Sequence, residues 1–314
     1  MKDLKRLCRE YRIGQLLEVE DLLGGGYINA NLKIRTSKGK YVVRIFLKDV
    51  EKERLQYAYS IVSKLAEEGI PALMPLQNSG GLSYTRYKEF VVQITPFVEA
   101  SCFQWVPEEA FNSGKTLRRM HETLMGIEES PKPTGVYQYH QLDPSTIMKQ
   151  LKEKGQTLPN HEGTAIDDFY NLLNQHVFGT INLPKTIIHG DWNPWNQLYN
   201  ENNEVCSFMD FDTLQRGERV FDVAYALYFF LIQQRNEMVA SEFLKGYGSL
   251  TAQEIHVLPF LIAKIGLIFG IFVEYGEFQF ARNLDQLKWV ISKKGRNTVE
   301  GFCTRDSKPY WWKA

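Results

Sequence analysis

The sequence predicts an α+β protein with two lobes, a small β-rich N-lobe and a larger helical C-lobe. Before residue 97 apolar and polar residues mostly alternate, as in half-buried strands. After Pro107 the apolar residues recur at the three- and four-residue spacing of amphipathic helices. The 314 residues, 44% of them hydrophobic, are enough for two hydrophobic cores. We therefore expect an N-terminal lobe over residues 1–97 and a C-terminal lobe over residues 98–314.

The N-terminal lobe is predicted to contain two hairpins and one long helix. The first hairpin joins GYINANLKIRT to KYVVRIFL through a turn at SKGK. Helical spacing from Glu51 to Glu68 ends at Gly69-Ile70-Pro71, which closes the helix. The second hairpin joins LSYTRY to EFVVQITPFV and follows a turn at Gly80-Gly81.

The C-terminal lobe is predicted to be mainly helical. Its first helix lies within PEEAFNSGKTLRRMHETLMG. Residues 129–162 form a long connection with one short helix near 145–154, and a second helix spans 166–176. Two short strands follow, in KTIIHG and VCSFMDF, and the rest of the chain is mostly helix. The aromatic residues at 310–312 are expected to pack back onto this lobe.

Composition and charge narrow the range of partners. Lys+Arg and Asp+Glu both total 37, so no net field attracts nucleic acid or an anionic membrane surface. The four cysteines are far apart and predict neither a zinc site nor disulfides. The most apolar stretch, VLPFLIAKIGLIFGIFVEYG, is interrupted by Lys264, Gly266 and Gly270. We expect a cytoplasmic protein without a membrane span, either a monomer or a homodimer.

Polar side chains are concentrated in the stretch IIHGDWNPWNQLY, directly after a predicted strand. Asp191 and Asn196 are spaced as Asp-x-x-x-x-Asn, and the next strand ends with Asp210 and Asp212. If the two strands pair across the turn NENNE, two acidic groups and an amide come together. Such a group suits phosphoryl transfer, which needs positioning and charge neutralisation. Asp191 would orient a substrate hydroxyl, while Asn196 and Asp210 would offer Mg²⁺ the hard oxygen ligands that it prefers.

Three motifs carry a family resemblance: HGDWNPWN, FMDFD and FDVAYAL. Together they resemble the aminoglycoside phosphotransferase and choline kinase family, which includes type II homoserine kinases. The resemblance implies a protein-kinase-like two-lobed fold with the active site in the cleft between the lobes. Gly190 takes the place of the protein-kinase Arg, as in the small-molecule branch. The elements agree in order and context, which favours catalysis over the alternative of a polar turn with a capped helix.

The resemblance also implies roles for single residues. His189 would brace the loop, Asp212 would be an acidic neighbour of the metal ligand, and Asp222 would cap the following helix and tie the loop to the lobe. Trp192 and Trp195 are expected to pack against the core. His121 is expected to be a core contact. Three residues would form the catalytic centre, with Asp191 as the base and with Asn196 and Asp210 as magnesium ligands.

The nucleotide-binding side depends on weaker signals. Gly24, Gly25 and Gly26 precede a strand, where bare backbone could approach phosphates, although the last glycine of a G-x-G-x-x-G loop is missing. Arg44 stands where the family has a Lys on the third strand, on the same face as Phe46. Its guanidinium could grip phosphates bidentately. The alternatives are an ordinary glycine turn and a surface arginine on an edge strand.

Four further residues complete the predicted ATP site. Glu53 is the candidate ion-pair partner of Arg44, although a solvated charged helix face is at least as consistent with its position. The segment VVQITPFVEA resembles the interlobe linker, so the Pro96 carbonyl and the Val98 amide would face adenine, with Thr95 as gatekeeper. A plain edge strand would tolerate Pro96 equally well.

The predicted activity is ATP- and Mg²⁺-dependent phosphorylation of a hydroxyl group on a small metabolite. Homoserine leads on the family resemblance, and choline or ethanolamine, a sugar or an aminoglycoside are alternatives. A carboxylate substrate would need a cation such as Arg216 or Arg219, and a cationic one would need walls such as those around Glu274 and Glu277. A catalytically silent spore-coat or scaffold protein is a further alternative. A protein kinase is disfavoured because no Ala-Pro-Glu element follows Asp210.

Overall fold

The computed structural model describes residues 2–23, 29–47, 50–140, 145–146, 149, 153, 173, 182–272 and 277–304. Contacts divide the chain into two compact units. The first unit comprises Met1–Ala100 and Cys206–Asp212, and the second comprises Ser101–Val205 and Thr213–Ala314. The sequence placed every residue after 97 in the second lobe, whereas the short segment Cys206–Asp212 packs with the first unit.

Several predicted features lie outside the described residues. They are Gly24, Gly25 and Gly26, most of the helices expected at 145–154 and 166–176, Glu274, and the aromatic residues at 310–312.

The first unit is built on a five-stranded antiparallel sheet with strand order β1-β2-β3-β5-β4. Both predicted hairpins are confirmed, since β2 pairs with β3 and β4 pairs with β5. Helix α1 and strand β1 were not predicted. The elements are α1 (Lys2–Glu10), β1 (Leu16–Leu23), β2 (Asn29–Thr36), β3 (Gly39–Phe46), α2 (Lys52–Glu67), β4 (Thr85–Tyr87) and β5 (Phe90–Pro96).

The two faces of this sheet carry separate hydrophobic clusters. Val43 belongs to the cluster that includes Leu7 of α1, whereas Phe46 packs in a second cluster with Leu55 of α2. Strand alternation therefore places Arg44 on the face of Phe46, and its guanidinium lies 4.9 Å from the centre of that ring. Strand β3 lies between β2 and β5, so the alternative of an edge-strand arginine is wrong.

The second unit is mainly helical, as predicted, with two pairs of short antiparallel strands. β6 pairs with β8, and β7 pairs with β10. The expected pairing of the KTIIHG strand with the VCSFMDF strand across NENNE is therefore wrong, because the two strands belong to different sheets. The elements after residue 100 are β6 (Ser101–Cys102), α3 (Pro107–Thr123), α4 (Gly135–His140), β7 (Lys185–Ile188), β8 (Gln197–Tyr199), β9 (Val205–Phe208), β10 (Gln215–Glu218), α5 (Arg219–Leu227), a π-helical turn (Tyr228–Gln233), α6 (Glu237–Tyr247), α7 (Ala252–Phe272), α8 (Glu277–Ile291) and α9 (Lys293–Thr304). Of these, β9 belongs to the first unit from Cys206 onward.

Backbone hydrogen bonds explain why the end of β9 belongs to the first unit. The Phe208 amide donates to the Pro71 carbonyl at 2.9 Å, and the Leu73 amide donates to the Phe208 carbonyl at 2.8 Å. The segment after α2 and the end of β9 thus form a short parallel bridge. Asp210 and Asp212 follow this bridge and are held in the first unit by it.

Helix α7 is long and apolar. The window Ala252–Phe269 would be sufficient to cross a membrane by length and composition alone, but 72% of it is buried inside the protein. Lys264, in the middle of the window, is only 1% exposed. The core helix of a globular unit has the same properties, so this helix is weak evidence for a membrane span.

Helices α3 and α6 approach closely at two glycines. A β-carbon on Gly114 would lie 2.1 Å from the Phe243 carbonyl oxygen, and one on Gly246 would lie 1.9 Å from that of Phe111. These contacts are with backbone atoms, which cannot move aside without shifting a helix. The helix pair therefore depends on both glycines.

The substitution Gly114→Ala is expected to lower the free energy of unfolding by about 1–3 kcal/mol, the usual range for overpacking. Urea unfolding followed by circular dichroism measures the change. Gly301→Ala in α9 is the matched control, because nothing lies within 4 Å of its β-carbon position. That control is expected to gain about 0.5–1 kcal/mol from helix propensity. Equal stabilities of the two variants would contradict the close-packing account.

Candidate active site

A buried aspartate anchors the loop between β7 and β8. The amides of His189 and Gly190 donate to the two carboxylate oxygens of Asp222, at 2.7 and 2.8 Å. The Nε2 atom of His121 lies 3.0 Å from the same carboxylate, and its Nδ1 atom lies 2.9 Å from the Tyr247 hydroxyl. Because Asp222 is completely buried, it needs such partners to offset its lost hydration. His121 is therefore a core contact, as predicted.

The predicted role of Asp222 needs one correction. Asp222 lies inside the first turn of α5, whose N-cap is Glu218, so Asp222 does not cap this helix. Its carboxylate instead accepts the two loop amides, which agrees with the predicted tie between loop and lobe. An acidic side chain in the first helical turn is also favoured by the helix dipole.

The residues before Asp191 are fixed by close contacts. His189 is fully buried, its carbonyl accepts a hydrogen bond from the Thr213 hydroxyl at 2.7 Å, and its ring meets Trp192 edge-on. Gly190 has a φ of +78°, and a β-carbon there would lie 2.7 Å from the Thr213 carbonyl oxygen. Both the positive φ and the close approach require glycine. The contacts of His189 are those of a residue that braces the loop.

The carboxylate of Asp191 accepts hydrogen bonds from three side chains. Tyr225 Oη donates to Oδ1 at 2.7 Å, and Asn193 Nδ2 donates to the same oxygen at 2.8 Å. Asn196 Nδ2 donates to Oδ2 at 3.0 Å. The structure thus brings the predicted base Asp191 together with Asn196. The hydrogen bonds of Asn193 and Tyr225 to Asp191 were not predicted. For Tyr225 the reason is that an aromatic residue on a helix usually packs in the core.

The loop ends in a short 3-10 helix at Pro194–Asn196 that Asn193 caps. The Asn193 side-chain oxygen accepts hydrogen bonds from the amides of Trp195 and Asn196, at 2.9 and 3.1 Å. Pro194 has no amide hydrogen and takes the first helical position, where none is needed. The sequence Asn-Pro-Trp-Asn therefore encodes the turn that points Asn196 back to Asp191.

The two tryptophans of the loop differ. Trp192 is buried, and its indole nitrogen donates to the Ser113 hydroxyl at 3.0 Å, so its predicted packing role is confirmed. Trp195 is 57% exposed and contacts Phe229 edge-on. The expected packing of Trp195 is confirmed only in part, because the ring contacts the buried Phe229 but is itself largely exposed.

A second group of predicted site residues, Arg44, Asp210 and Asp212, lies in the first unit. The Nη2 atom of Arg44 lies 3.0 Å from Asp210 Oδ1 and 2.7 Å from Asp212 Oδ2. One cation therefore bridges the two carboxylates after β9. Glu53 is exposed, and Arg44 pairs with these aspartates rather than with the predicted Glu53. A pairing between residues 166 positions apart in sequence carries no local signal.

Asp210 has an unusual backbone conformation, with a φ of +70°. A left-handed residue with a β-carbon costs about 1–2 kcal/mol, and aspartate is among the residues that tolerate it. Such strain persists when surrounding contacts hold it and is often found at functional sites. Here the bridge through Phe208 and the ion pair with Arg44 flank the strained residue.

A second arginine, Arg54, also approaches this acidic group. Its Nη1 atom donates to the Asp212 carbonyl oxygen at 3.2 Å. Burial lowers the pKa of Arg54, which the nearby carboxylates of Glu51 and Asp212 partly counteract. Arg54 was not predicted from the sequence. A usable signal was its place in the first turn of α2, where the helix dipole disfavours a cation unless an acidic partner is present.

The predicted adenine contacts lie at the end of β5. Pro96 is its last residue, pairs with Tyr41 of β3 and is exposed, while Val98 follows the strand and is half-buried. Strand β5 is paired with both β3 and β4 at Val91 and Val92. Contacts of Pro96 and Val98 with adenine stay a prediction.

The arginines considered for a substrate carboxylate are engaged with acidic residues. Arg219 donates two hydrogen bonds to the buried carboxylate of Glu254, at 2.7 and 2.8 Å, which raises the pKa of Arg219. Arg216 donates to Glu128 at 2.9 Å. Both arginines are therefore ion-paired within the protein.

The substitution Gly190→Ala is expected to lower the free energy of unfolding by about 2–5 kcal/mol, from backbone strain and a steric clash together. Gly81→Ala is the matched control, because Gly81 has the same φ of +78° but nothing within 4 Å of its β-carbon position. The difference between the two variants in urea unfolding measures the clash alone. A Gly190→Ala variant no less stable than Gly81→Ala would contradict this account.

Comparison with known proteins adds the family. The family model described as "Phosphotransferase enzyme family" matches residues 21–259 of this chain. A homoserine kinase of Rhodopseudomonas palustris (strain BisB18) is 27% identical over 281 residues, covering 85% of this chain and 82% of the relative. A homoserine kinase of Bradyrhizobium sp. (strain ORS 278) is 24% identical over 274 residues, covering 82% of this chain and 80% of the relative.

Solved structures give the fold. A microcompartment-associated aminopropanol kinase aligns with a TM-score of 0.73 at 13% identity, covering 95% of this chain and 99% of the other. The amicoumacin kinase hAmiN, in complex with AMP-PNP, Ca²⁺ and its ligand Ami, aligns with a TM-score of 0.66 at 15% identity, covering 97% and 96%. The chain thus has the protein-kinase-like α+β fold, belongs to the phosphotransferase enzyme family and is a small-molecule kinase.

Proposed function

We propose that this kinase transfers the γ-phosphoryl group of ATP to a hydroxyl group of a small metabolite, with homoserine as the first acceptor to test. The observation that carries the proposal is the carboxylate of Asp191, held by side-chain donors on both oxygens in the loop after β7. A cytoplasmic location fits this activity and the burial of the apolar helix α7.

Asp191 is the proposed catalytic base. In phosphoryl transfer the protein contributes mainly positioning and charge stabilisation, so the base has to orient the acceptor hydroxyl and accept its proton. The loop suits this task because Asp222 fixes its backbone and Asn193 fixes its turn. A carboxylate held in this way loses little freedom when substrate binds.

Asn196 and Asp210 are the proposed magnesium ligands. Their side-chain oxygens are hard donors of the type that Mg²⁺ prefers. The fit is supported by Arg44, a cation that already bridges Asp210 and Asp212. In the described residues no cluster of three or more His, Cys, Asp or Glu side chains suits a metal, so nucleotide oxygens and water would complete its shell. Bound Mg²⁺ would neutralise charge on the triphosphate.

Arg44 is the proposed phosphate contact of the nucleotide site. It carries a permanent charge and can donate two parallel hydrogen bonds to phosphate oxygens. Its position on an interior strand, over the ring of Phe46, fixes the direction of its guanidinium. Gly24, Gly25 and Gly26 remain proposed as the flanking phosphate loop, and Pro96 and Val98 as the adenine contacts.

The choice of acceptor rests on the relatives and on one structural observation. Homoserine kinases, at 21–27% identity, make homoserine the first candidate. Arg216 and Arg219 are paired with Glu128 and Glu254, so a substrate carboxylate would have to displace a protein carboxylate to use them. This observation favours a second candidate, an amino alcohol without a carboxylate. The remaining alternatives are sugars, aminoglycosides and a silent scaffold.

The proposal is tested by ADP release with Mg·ATP and each of homoserine, choline, ethanolamine, 1-amino-2-propanol, a sugar and an aminoglycoside. Mass spectrometry of the products identifies the phosphorylated acceptor. Turnover with homoserine supports the first candidate, and turnover with an amino alcohol alone supports the second. Mg·ATP binding without turnover on any acceptor would favour a silent protein.

The substitution Asp191→Asn is expected to reduce kcat about 100- to 10,000-fold, because the isosteric amide cannot accept the proton. Affinity for Mg·ATP is expected to persist. Asp285→Asn, at an exposed position on α8, is the matched control and should retain wild-type turnover. Full activity of Asp191→Asn would contradict the assignment of the base.

The substitution Arg44→Gln is expected to weaken Mg·ATP binding about 10- to 100-fold, because it removes hydrogen bonds between charged groups. Isothermal titration calorimetry measures the dissociation constant. Arg35→Gln on β2 is the matched control, because Arg35 is an exposed strand arginine paired with Glu18 and Glu20. An unchanged dissociation constant for Arg44→Gln would exclude Arg44 from the nucleotide site.

A further inference from the structure

Tyr225, in the motif FDVAYAL, contacts the predicted base. Its hydroxyl donates to Asp191 Oδ1 at 2.7 Å, a short hydrogen bond to a carboxylate. The family resemblance assigned a role on this helix to Asp222 but none to Tyr225. The family resemblance therefore does not explain this hydrogen bond.

Side-chain donors hold both oxygens of the Asp191 carboxylate. Oδ1 accepts hydrogen bonds from both Tyr225 and Asn193, which use its two lone pairs. Oδ2 accepts one from Asn196. Tyr225 and Asn196 thus hold opposite oxygens of the same carboxylate. Rotation of the carboxylate would break all three hydrogen bonds at once.

The Tyr225 ring is itself held firmly. It packs against the rings of Phe221, Phe229 and Phe269, with centroid distances of 6.0, 5.6 and 5.6 Å. Only 4% of the residue is exposed. A ring this buried has little surface to offer a substrate, so any effect of Tyr225 on catalysis has to act through Asp191.

Helix α5 presents two residues to the same loop. Asp222 and Tyr225 are three positions apart, so they lie on one face of the helix. Asp222 accepts hydrogen bonds from the loop backbone at His189 and Gly190, while Tyr225 donates to the side chain of Asp191. The helix therefore fixes both the position of the loop and the orientation of its carboxylate.

We propose that Tyr225 is a positioning residue that holds the Asp191 carboxylate in the orientation in which it meets the acceptor hydroxyl. This inference rests on the proposed function. The competing explanation is a buried hydroxyl that uses Asp191 only to satisfy its own hydrogen bond. The two explanations differ in what the removal of the hydroxyl changes, either turnover or stability alone.

The test compares the wild type with Tyr225→Phe, which keeps the ring and removes the hydroxyl. The kcat for the acceptor found in the panel is expected to fall about 10- to 100-fold, the effect of one hydrogen bond to a charged group. The KM for ATP should not change. Tyr137→Phe is the matched control, because the buried Tyr137 donates to Glu218 at 2.5 Å and should keep its wild-type kcat.

A double-mutant cycle separates positioning from stability. In the Asp191→Asn background, Tyr225→Phe is expected to cause no further loss of residual turnover, since the carboxylate that it orients is gone. An equal loss in both backgrounds would overturn the inference, as would full kcat in Tyr225→Phe or a similar loss in Tyr137→Phe. A wild type without turnover on any acceptor would overturn the proposed function and this inference together. An active wild type with an equally active Tyr225→Phe variant would overturn this inference alone.

Discussion

The hydrogen bonds from two loop amides to the buried carboxylate of Asp222 are the constraint on which the proposed catalytic chemistry depends. An ionised group with no exposure is stable only when its oxygens are satisfied, so the loop cannot move away without leaving a buried charge unpaired. The next residue in the loop is Asp191. Its orientation therefore follows from the stability of the second unit, without a separate flexible element.

The acidic group of the first unit is organised differently. Asp210 and Asp212 share one arginine, and a backbone bridge to the segment after α2 holds the chain beside them. The left-handed backbone of Asp210 is maintained by these neighbours rather than by its own preference. Permanent cations near two carboxylates suit a site that handles a polyanionic substrate with a divalent ion.

The sequence predicted the features that depend on local pattern and on motif order. Alternation predicted the β2–β3 hairpin and the face of Arg44, and the loop motif predicted Asp191 with Asn196 as its neighbour. Partners distant in sequence were missed, because periodicity does not encode them: Arg44 pairs with Asp210, and Tyr225 with Asp191. The sequence pattern around Tyr225 indicates only core packing, because aromatic residues on a helix usually pack in the core.

The most direct measurement of the central claim is a crystal structure with a non-hydrolysable ATP analogue, Mg²⁺ and the acceptor that the turnover assay identifies. The account predicts the acceptor hydroxyl within about 2.6–3.2 Å of a carboxylate oxygen of Asp191, with the Tyr225 hydroxyl still bound to Oδ1. It also predicts that the metal ion is coordinated by Asn196 and Asp210. An acceptor hydroxyl placed away from Asp191, or a metal ion held by other side chains, would contradict it.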